Sequence, residues 1–299
     1  MPKPRAALFV FLLAGCMGIA LLWAVARGRQ RIARQVNEQM LAVNPYLERD
    51  PQLGWRNRLN SEGVFPPFGT DRLLYRIDGE GNRRDDDQTD VQGPPLRRMV
   101  WILGDSSAFG LCVEGERSFS GLLRRALRRY GVAVKNLAVI GYNSWQVGTL
   151  FRSRLRRAPR KPDLIIVWVG FNDTTQFLHE WFWKTPFAGL LAYGRYVRNV
   201  AALLAVSRRA GIKVIEVTIP CLEPHRQLER INGWIRTHQG ISPELAVVDV
   251  QRAFAEQANR GLYAAFDDFL PCRFHPSERG HALIAELLLP VVKELLSKR

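Results

Sequence analysis

Gly104-Asp105-Ser106-Ser107 closes the apolar run Met99-Val100-Trp101-Ile102-Leu103 and precedes Ala108-Phe109-Gly110. A short apolar run bounded by glycine reads as a buried strand. A serine at the turn from such a strand into a helix sits where backbone N–H groups point at an anion. Its hydroxyl is a weak nucleophile until a base takes the proton, and the tetrahedral intermediate it forms needs hydrogen-bond donors. Three later segments offer these groups. Val139-Ile140-Gly141-Tyr142-Asn143 has a glycine whose N–H a ligand can approach, and Gly170-Phe171-Asn172-Asp173 has the Asn172 side-chain amide. Arg273-Phe274-His275-Pro276 has an imidazole, the side chain whose ordinary pKa suits a general base near neutrality. The chemistry is attack by Ser106 on a carbonyl carbon, His275 taking the proton. Ser106 N–H, Gly141 N–H and the Asn172 amide would hold the oxyanion. No metal or organic cofactor is implied.

The elements that must position these groups follow a regular pattern from Arg98 onward. Apolar runs at Met99–Leu103, Val132–Val139, Asp163–Val169, Ile212–Ile219 and Leu245–Val250 read as five strands. Helical periodicity covers Phe119–Tyr130, Ser144–Arg157, Leu190–Ala210 and Ser277–Leu296. Strands alternating with helices of this length predict a parallel sheet covered on both faces, with ligands beyond the carboxyl ends of its strands. Each candidate residue falls at such an end. The aromatic segment Phe171–Gly189, with Trp181, Phe182, Trp183 and Phe187, follows the third strand as a lid, a substrate contact or a packed loop.

These four segments, in this order, resemble the SGNH, or GDSL-type, hydrolase family over about Met99 to Leu296. The resemblance implies a three-layer α/β/α flavodoxin-like fold and ester hydrolysis through an acyl-enzyme. It assigns Ser106 as nucleophile, Gly141 and Asn172 to the oxyanion hole and His275 as base. Asp50-Pro51, Gly54-Trp55 and Asp78-Gly79-Glu80-Gly81-Asn82-Arg83, together with Gly104–Gly110, Cys112-Val113 and Phe119, are similar to a membrane-anchored bacterial branch associated with cell-surface or exopolysaccharide metabolism. One position departs from the family pattern. Cys272 stands three residues before His275, where the family carries the Asp that orients the imidazole, and a neutral thiol supplies no charge. Asp268, placed ahead of Asp267, is the expected replacement carboxylate; a Ser–His dyad or an impaired enzyme are the other possibilities.

Composition bounds the rest. The chain has 299 residues, 47% of them hydrophobic, enough for a sizeable core. Its net charge of +15 comes mainly from arginines spread over many segments, with no zinc-finger spacing, RNA-binding signature or basic tail, so no nucleic-acid partner is expected. Ala6 to Ala26 is an uncharged run that as a helix would span about 30 Å, which predicts a single-pass signal anchor. A cleaved signal peptide, or lipidation of Cys16 within Leu13-Ala14-Gly15-Cys16, are its alternatives. Basic residues on both flanks leave the side of the membrane open, with an extracytoplasmic catalytic domain as the expectation. Cys16, Cys112, Cys221 and Cys272 show no metal-ligand spacing. Cys221 and Cys272 lie near one sheet edge and are expected as two free thiols rather than a disulfide. The acidic run Asp85-Asp86-Asp87 is expected to be a solvated turn. Asp105 is expected to cap or brace, His281 to be structural in the last helix, and His179, His225 and His238 have no evident partners.

The expected organisation is a transmembrane anchor over 1–27, a juxtamembrane helix and small irregular or β-rich segment over 28–97, and the hydrolase-like domain over 98–299. The expected activity is membrane-anchored ester hydrolysis on a carbohydrate or lipid ester, small molecule or polysaccharide. An O-acyltransferase for a cell-surface polysaccharide and a catalytically silent glycan-binding or scaffold protein are the alternatives.

Overall fold

A computed structural model describes residues 34–65, 73–84, 94–175, 186–220, 225–259 and 275–298. Helix α1 (residues 34–43) leads into a hairpin of β1 (Leu47–Asp50) and β2 (Gly54–Asn57). Strands β3 (Ser61–Phe65), β4 (Leu73–Ile77) and β5 (Arg83–Arg84) follow. Of the segment expected to be irregular or β-rich, the described residues take the β-rich form, and β3 to β5 extend the main sheet in antiparallel fashion. Its strands are short, two to five residues, and β4 buries only alternate residues such as Tyr75 and Ile77, so the apolar signal is brief.

The five parallel strands expected from the apolar runs are present: β6 (Arg98–Gly104), β7 (Val132–Asn136), β8 (Leu164–Trp168), β9 (Lys213–Val217) and β10 (Leu245–Val248). The eight-stranded order is β10-β9-β8-β6-β7-β5-β4-β3. β8 is buried along its whole length and β6 from Val100 onward, as strands covered on both faces must be.

The helices are α2 (Ser106–Phe109), α3 (Phe119–Arg128), α4 (Ser144–Arg157), α5 (Phe171–Thr175), α6 (Pro186–Arg209), α7 (Arg226–Arg236), α8 (Val250–Asn259) and α9 (Glu278–Ser297). The sequence pattern did not foresee α7 and α8. From β6 the chain steps to β7 on one side, then back past β6 to β8, β9 and β10 on the other. Right-handed crossovers then place α3 on one face and α4, α6 and α7 on the opposite face. α9 packs on α3 and so covers the first face. The reversal occurs at β6, so the crevice between the β7 and β8 ends opens directly at Ser106.

No helix among the described residues is long and apolar enough to cross a membrane. The run Ala6–Ala26, the Asp85–Asp87 cluster, His179, the aromatics Trp181, Phe182 and Trp183 and the cysteines Cys16, Cys221 and Cys272 lie outside the described residues, as does the side chain of Phe187. Cys112 is disulfide-bonded, to a partner outside the described residues. A disulfide therefore forms at a cysteine to which spacing had assigned none.

Candidate active site

Ser106 is the first residue of α2, directly beyond the carboxyl end of β6. Asp105 caps this helix, its Oδ1 accepting from Ser107 N–H at 3.0 Å, so the side chain braces the nucleophile turn as its position predicts. It is only 3% exposed, and burial pushes its carboxyl up to about 7 against the pull of its backbone donors. Replacing it with Ala removes the buried side-chain acceptor of the Ser107 N–H. Asp105→Ala should lower stability by about 1–3 kcal/mol, read as a shift in urea midpoint at unchanged m-value.

His275 stands just before α9, whose N-terminus is fixed by Ser277 Oγ accepting from Gly280 N–H at 3.2 Å. His281, in the first turn of α9, stacks on Phe119 at 5.8 Å, and its Nδ1 accepts the Phe119 N–H at 3.3 Å. That is the structural role expected of it. With α9 held in this way, His275 Nε2 comes to 2.8 Å from Ser106 Oγ across 169 residues of sequence. When Nε2 accepts from the hydroxyl, the proton of the neutral ring sits on Nδ1. Among the described residues, Nδ1 is buried and has no hydrogen-bond partner. Burial alone depresses the His275 pKa to about 4. Asp267 and Asp268 lie outside the described residues, as does Cys272 at the family's Asp position.

The oxyanion candidates flank Ser106 on either side. Gly141 lies in the loop between β7 and α4 in a left-handed conformation (φ +77°), which the missing Cβ permits. Asn172, in α5, donates its Nδ2 to the carbonyl of Tyr142 at 3.0 Å, which ties its side chain to the loop that carries Gly141. Asp173 locks the start of α4, accepting from Ser144 N–H at 2.8 Å and Ser144 Oγ at 2.5 Å, and Asn199 Nδ2 donates to that same Oγ at 2.9 Å. Burial raises the Asp173 carboxyl to about 6, even with the Ser144 bonds pulling it down.

Several residues of the N-terminal strands support this loop, and sequence reasoning assigned them no role at the site. Trp55 Nε1 donates to the Ile140 carbonyl at 2.8 Å, and Tyr142 donates its hydroxyl to the Trp55 carbonyl at 2.6 Å. Gln146 Nε2 donates to the Leu53 carbonyl at 2.8 Å, while its Oε1 completes a capping box with Asn143. Met40 of α1 and Trp55 both lie against the Cα of Gly141. The remaining histidines are elsewhere: His225 caps α7, and His238 Nδ1 is 2.5 Å from the buried Glu216. No group of three or more His, Cys, Asp or Glu able to hold a metal occurs among the described residues.

A hydroxyl and an imidazole meet at the switch point of a mostly parallel α/β sheet, and a sequence profile of the GDSL-like Lipase/Acylhydrolase family matches residues 102–283. The chain belongs to that family and is a hydrolase acting on ester bonds. Among solved structures it is similar to a G-D-S-L family lipolytic protein from Veillonella parvula DSM 2008, at 17% identity and TM-score 0.52 over 66% of this chain and 98% of that one. A putative lipolytic protein of the same family from Desulfitobacterium hafniense DCB-2 aligns at 17% identity and TM-score 0.51, over 64% and 98%. The acetyl xylan esterase AlAXEase aligns at 15% identity and TM-score 0.50, over 65% and 99%. At these identities the structural likeness concerns the fold. No curated protein matches the chain in sequence.

Proposed function

We propose that the protein is a membrane-held serine esterase that deacylates a carbohydrate or lipid ester through an acyl-enzyme on Ser106. The observation that carries this is the 2.8 Å approach of His275 Nε2 to Ser106 Oγ. His275 removes the hydroxyl proton as Oγ attacks the ester carbonyl carbon. Ser106 N–H, Gly141 N–H and Asn172 Nδ2 receive the charge that develops on the carbonyl oxygen. The imidazolium then returns the proton to the departing alcohol, and water repeats the sequence to release the acid. Asp268 is the carboxylate proposed to hold Nδ1 of His275. The run Ala6–Ala26 is proposed to hold the catalytic domain on the extracytoplasmic side of a membrane.

The test is covalent labelling of the full chain in detergent with a fluorophosphonate, which reports an activated serine hydroxyl. Labelling mapped to Ser106 and lost in Ser106→Ala supports the esterase. A folded wild-type chain that takes no label overturns it in favour of a silent binding module. Product analysis with a sugar acceptor separates hydrolysis from O-acyl transfer. Retention in washed vesicles tests the anchor, and protease protection of those vesicles tests the side.

A further inference from the structure

We propose that Arg83, contributed by the N-terminal strands outside the family-matched residues, is a positioning residue that sets the nucleophile turn. The inference rests on Ser106 being the nucleophile. Helix α2 has four residues, too few for its own ladder to satisfy its last carbonyls. The Ser106 carbonyl accepts from Gly110 N–H at 3.1 Å and Leu111 N–H at 2.9 Å, and the Ser107 carbonyl also accepts from Gly110 N–H. Asn136 Nδ2 donates to the Ala108 carbonyl at 2.9 Å. The next acceptors belong to Arg83: Nη1 donates to the carbonyls of Phe109 and, at 2.6 Å, Gly110, and Nη2 donates to that of Val113 at 2.6 Å.

The same peptides that hold the Ser106 carbonyl are therefore gripped, one bond further on, by a single guanidinium. Its environment leaves it little freedom. Arg83 is 4% exposed, and the rings of Tyr75 and Phe109 each lie 4.9 Å from the guanidinium carbon. Tyr75 also accepts the Cys112 N–H on its hydroxyl at 2.7 Å, which ties β4 to the same loop. Gly110 completes the fit. Its φ is +81°, and a Cβ there would meet Arg83 Nη1. The planar fork reaches three carbonyls at fixed angles, which a lysine ammonium on a flexible stem cannot reproduce.

Arg83 touches no reacting atom, and acts through backbone placement. Losing it lets Gly110 and Leu111 relax and moves Ser106 Oγ off the His275 line. A misplacement of about 1 Å at a reacting centre costs about 100-fold. Arg83→Met in the full chain, with p-nitrophenyl acetate as substrate, should lower kcat by about 10- to 100-fold at a KM within about 2-fold of wild type. The rate of fluorophosphonate labelling should fall in parallel, although labelling still runs to completion. Arg83→Lys should recover only part of the loss.

The decisive quantity is kcat per active site, titrated by the probe. If titrated Arg83→Met sites turn over at the wild-type rate, the residue only stabilises the fold and the proposal is overturned. Should Arg83→Met fail to fold, Arg83→Lys decides: a wild-type kcat per site in that variant also overturns it. Labelling of wild-type Ser106, mapped by mass spectrometry in the same experiment, is the separate check on the nucleophile. If it is absent, both assignments fall together; if it is present with unaffected Arg83 variants, only the positioning role falls.

Discussion

Ser106→Ala is expected to reduce kcat/KM for p-nitrophenyl acetate by about 10,000-fold or more while leaving the thermal midpoint within a few degrees of wild type. Among the described residues, the Ser106 hydroxyl is the one in contact with His275, and the proposed covalent bond to the acyl carbon forms there. Its other interactions are modest. Asp105, not Ser106, caps α2, and the Ser106 carbonyl and its acceptor role survive truncation to Ala. Residual turnover above background would come from the oxyanion donors and from binding. A loss below about 10-fold would mean that ester hydrolysis does not pass through Ser106.

His275→Asn is expected to lower kcat/KM by about 1,000-fold or more, since no second imidazole among the described residues approaches Ser106. Wild-type pH dependence carries the finer information. A base must be neutral to act, and burial by itself pushes the His275 pKa down to about 4. The carboxylate proposed on Nδ1 stabilises the imidazolium and should lift the acid limb of kcat/KM above that value, toward the ordinary imidazole range. An acid limb centred near the ordinary imidazole value of about 6.5 would show that a carboxylate stabilises the imidazolium. Asp268→Ala or Asp267→Ala should then move that limb downward, and the variant that moves it identifies the partner. If neither substitution changes turnover or the limb, neither aspartate replaces the family carboxylate.

Stability would be a poorer reporter of the same titration. With burial alone acting, His275 binds its proton in the unfolded chain below about 6.5 but stays neutral in the fold until about 4, so its contribution is complete above 6.5 and is lost as pH falls. Asp105 and Asp173 act oppositely. Their folded pKa values, raised to about 7 and about 6, give a contribution complete below about 4 that is lost as pH rises through the raised values. Over the shared window the opposing slopes offset one another, whereas activity reports His275 alone.

Much of the site was legible because its members mark strand ends. Ser106 and Asn172 follow β6 and β8, whose burial on both faces made their apolar runs continuous, whereas Gly141 follows the half-buried β7, which carries Lys135. The helix Ser144–Arg157 was delimited correctly by its cap, since Asn143 and Gln146 form a local pattern at fixed spacing. Strand 132–139 was read too long: β7 ends at Asn136, although Leu137 and Val139 still donate their N–H groups to the Ile102 and Gly104 carbonyls of β6 before the chain reaches Gly141. α7 went unread because its apolar face is carried by few residues, Leu228, Ile231 and Ile235, among charged ones.

By itself, the sequence determined the parallel α/β core and the family, and it singled out the four candidate segments, because those depend on periodicity and on residue type at strand ends. The tertiary structure alone decided what holds them in register. The 2.8 Å contact between Ser106 and His275 depends on α9 packing against α3 through His281 and Phe119. The grip of Arg83 on the nucleophile turn, and of Trp55 on the oxyanion loop, joins residues 26 to 85 positions apart. Such contacts leave no trace in local pattern, since a buried arginine or tryptophan finds its carbonyl partners only after the strands that carry it have joined the sheet.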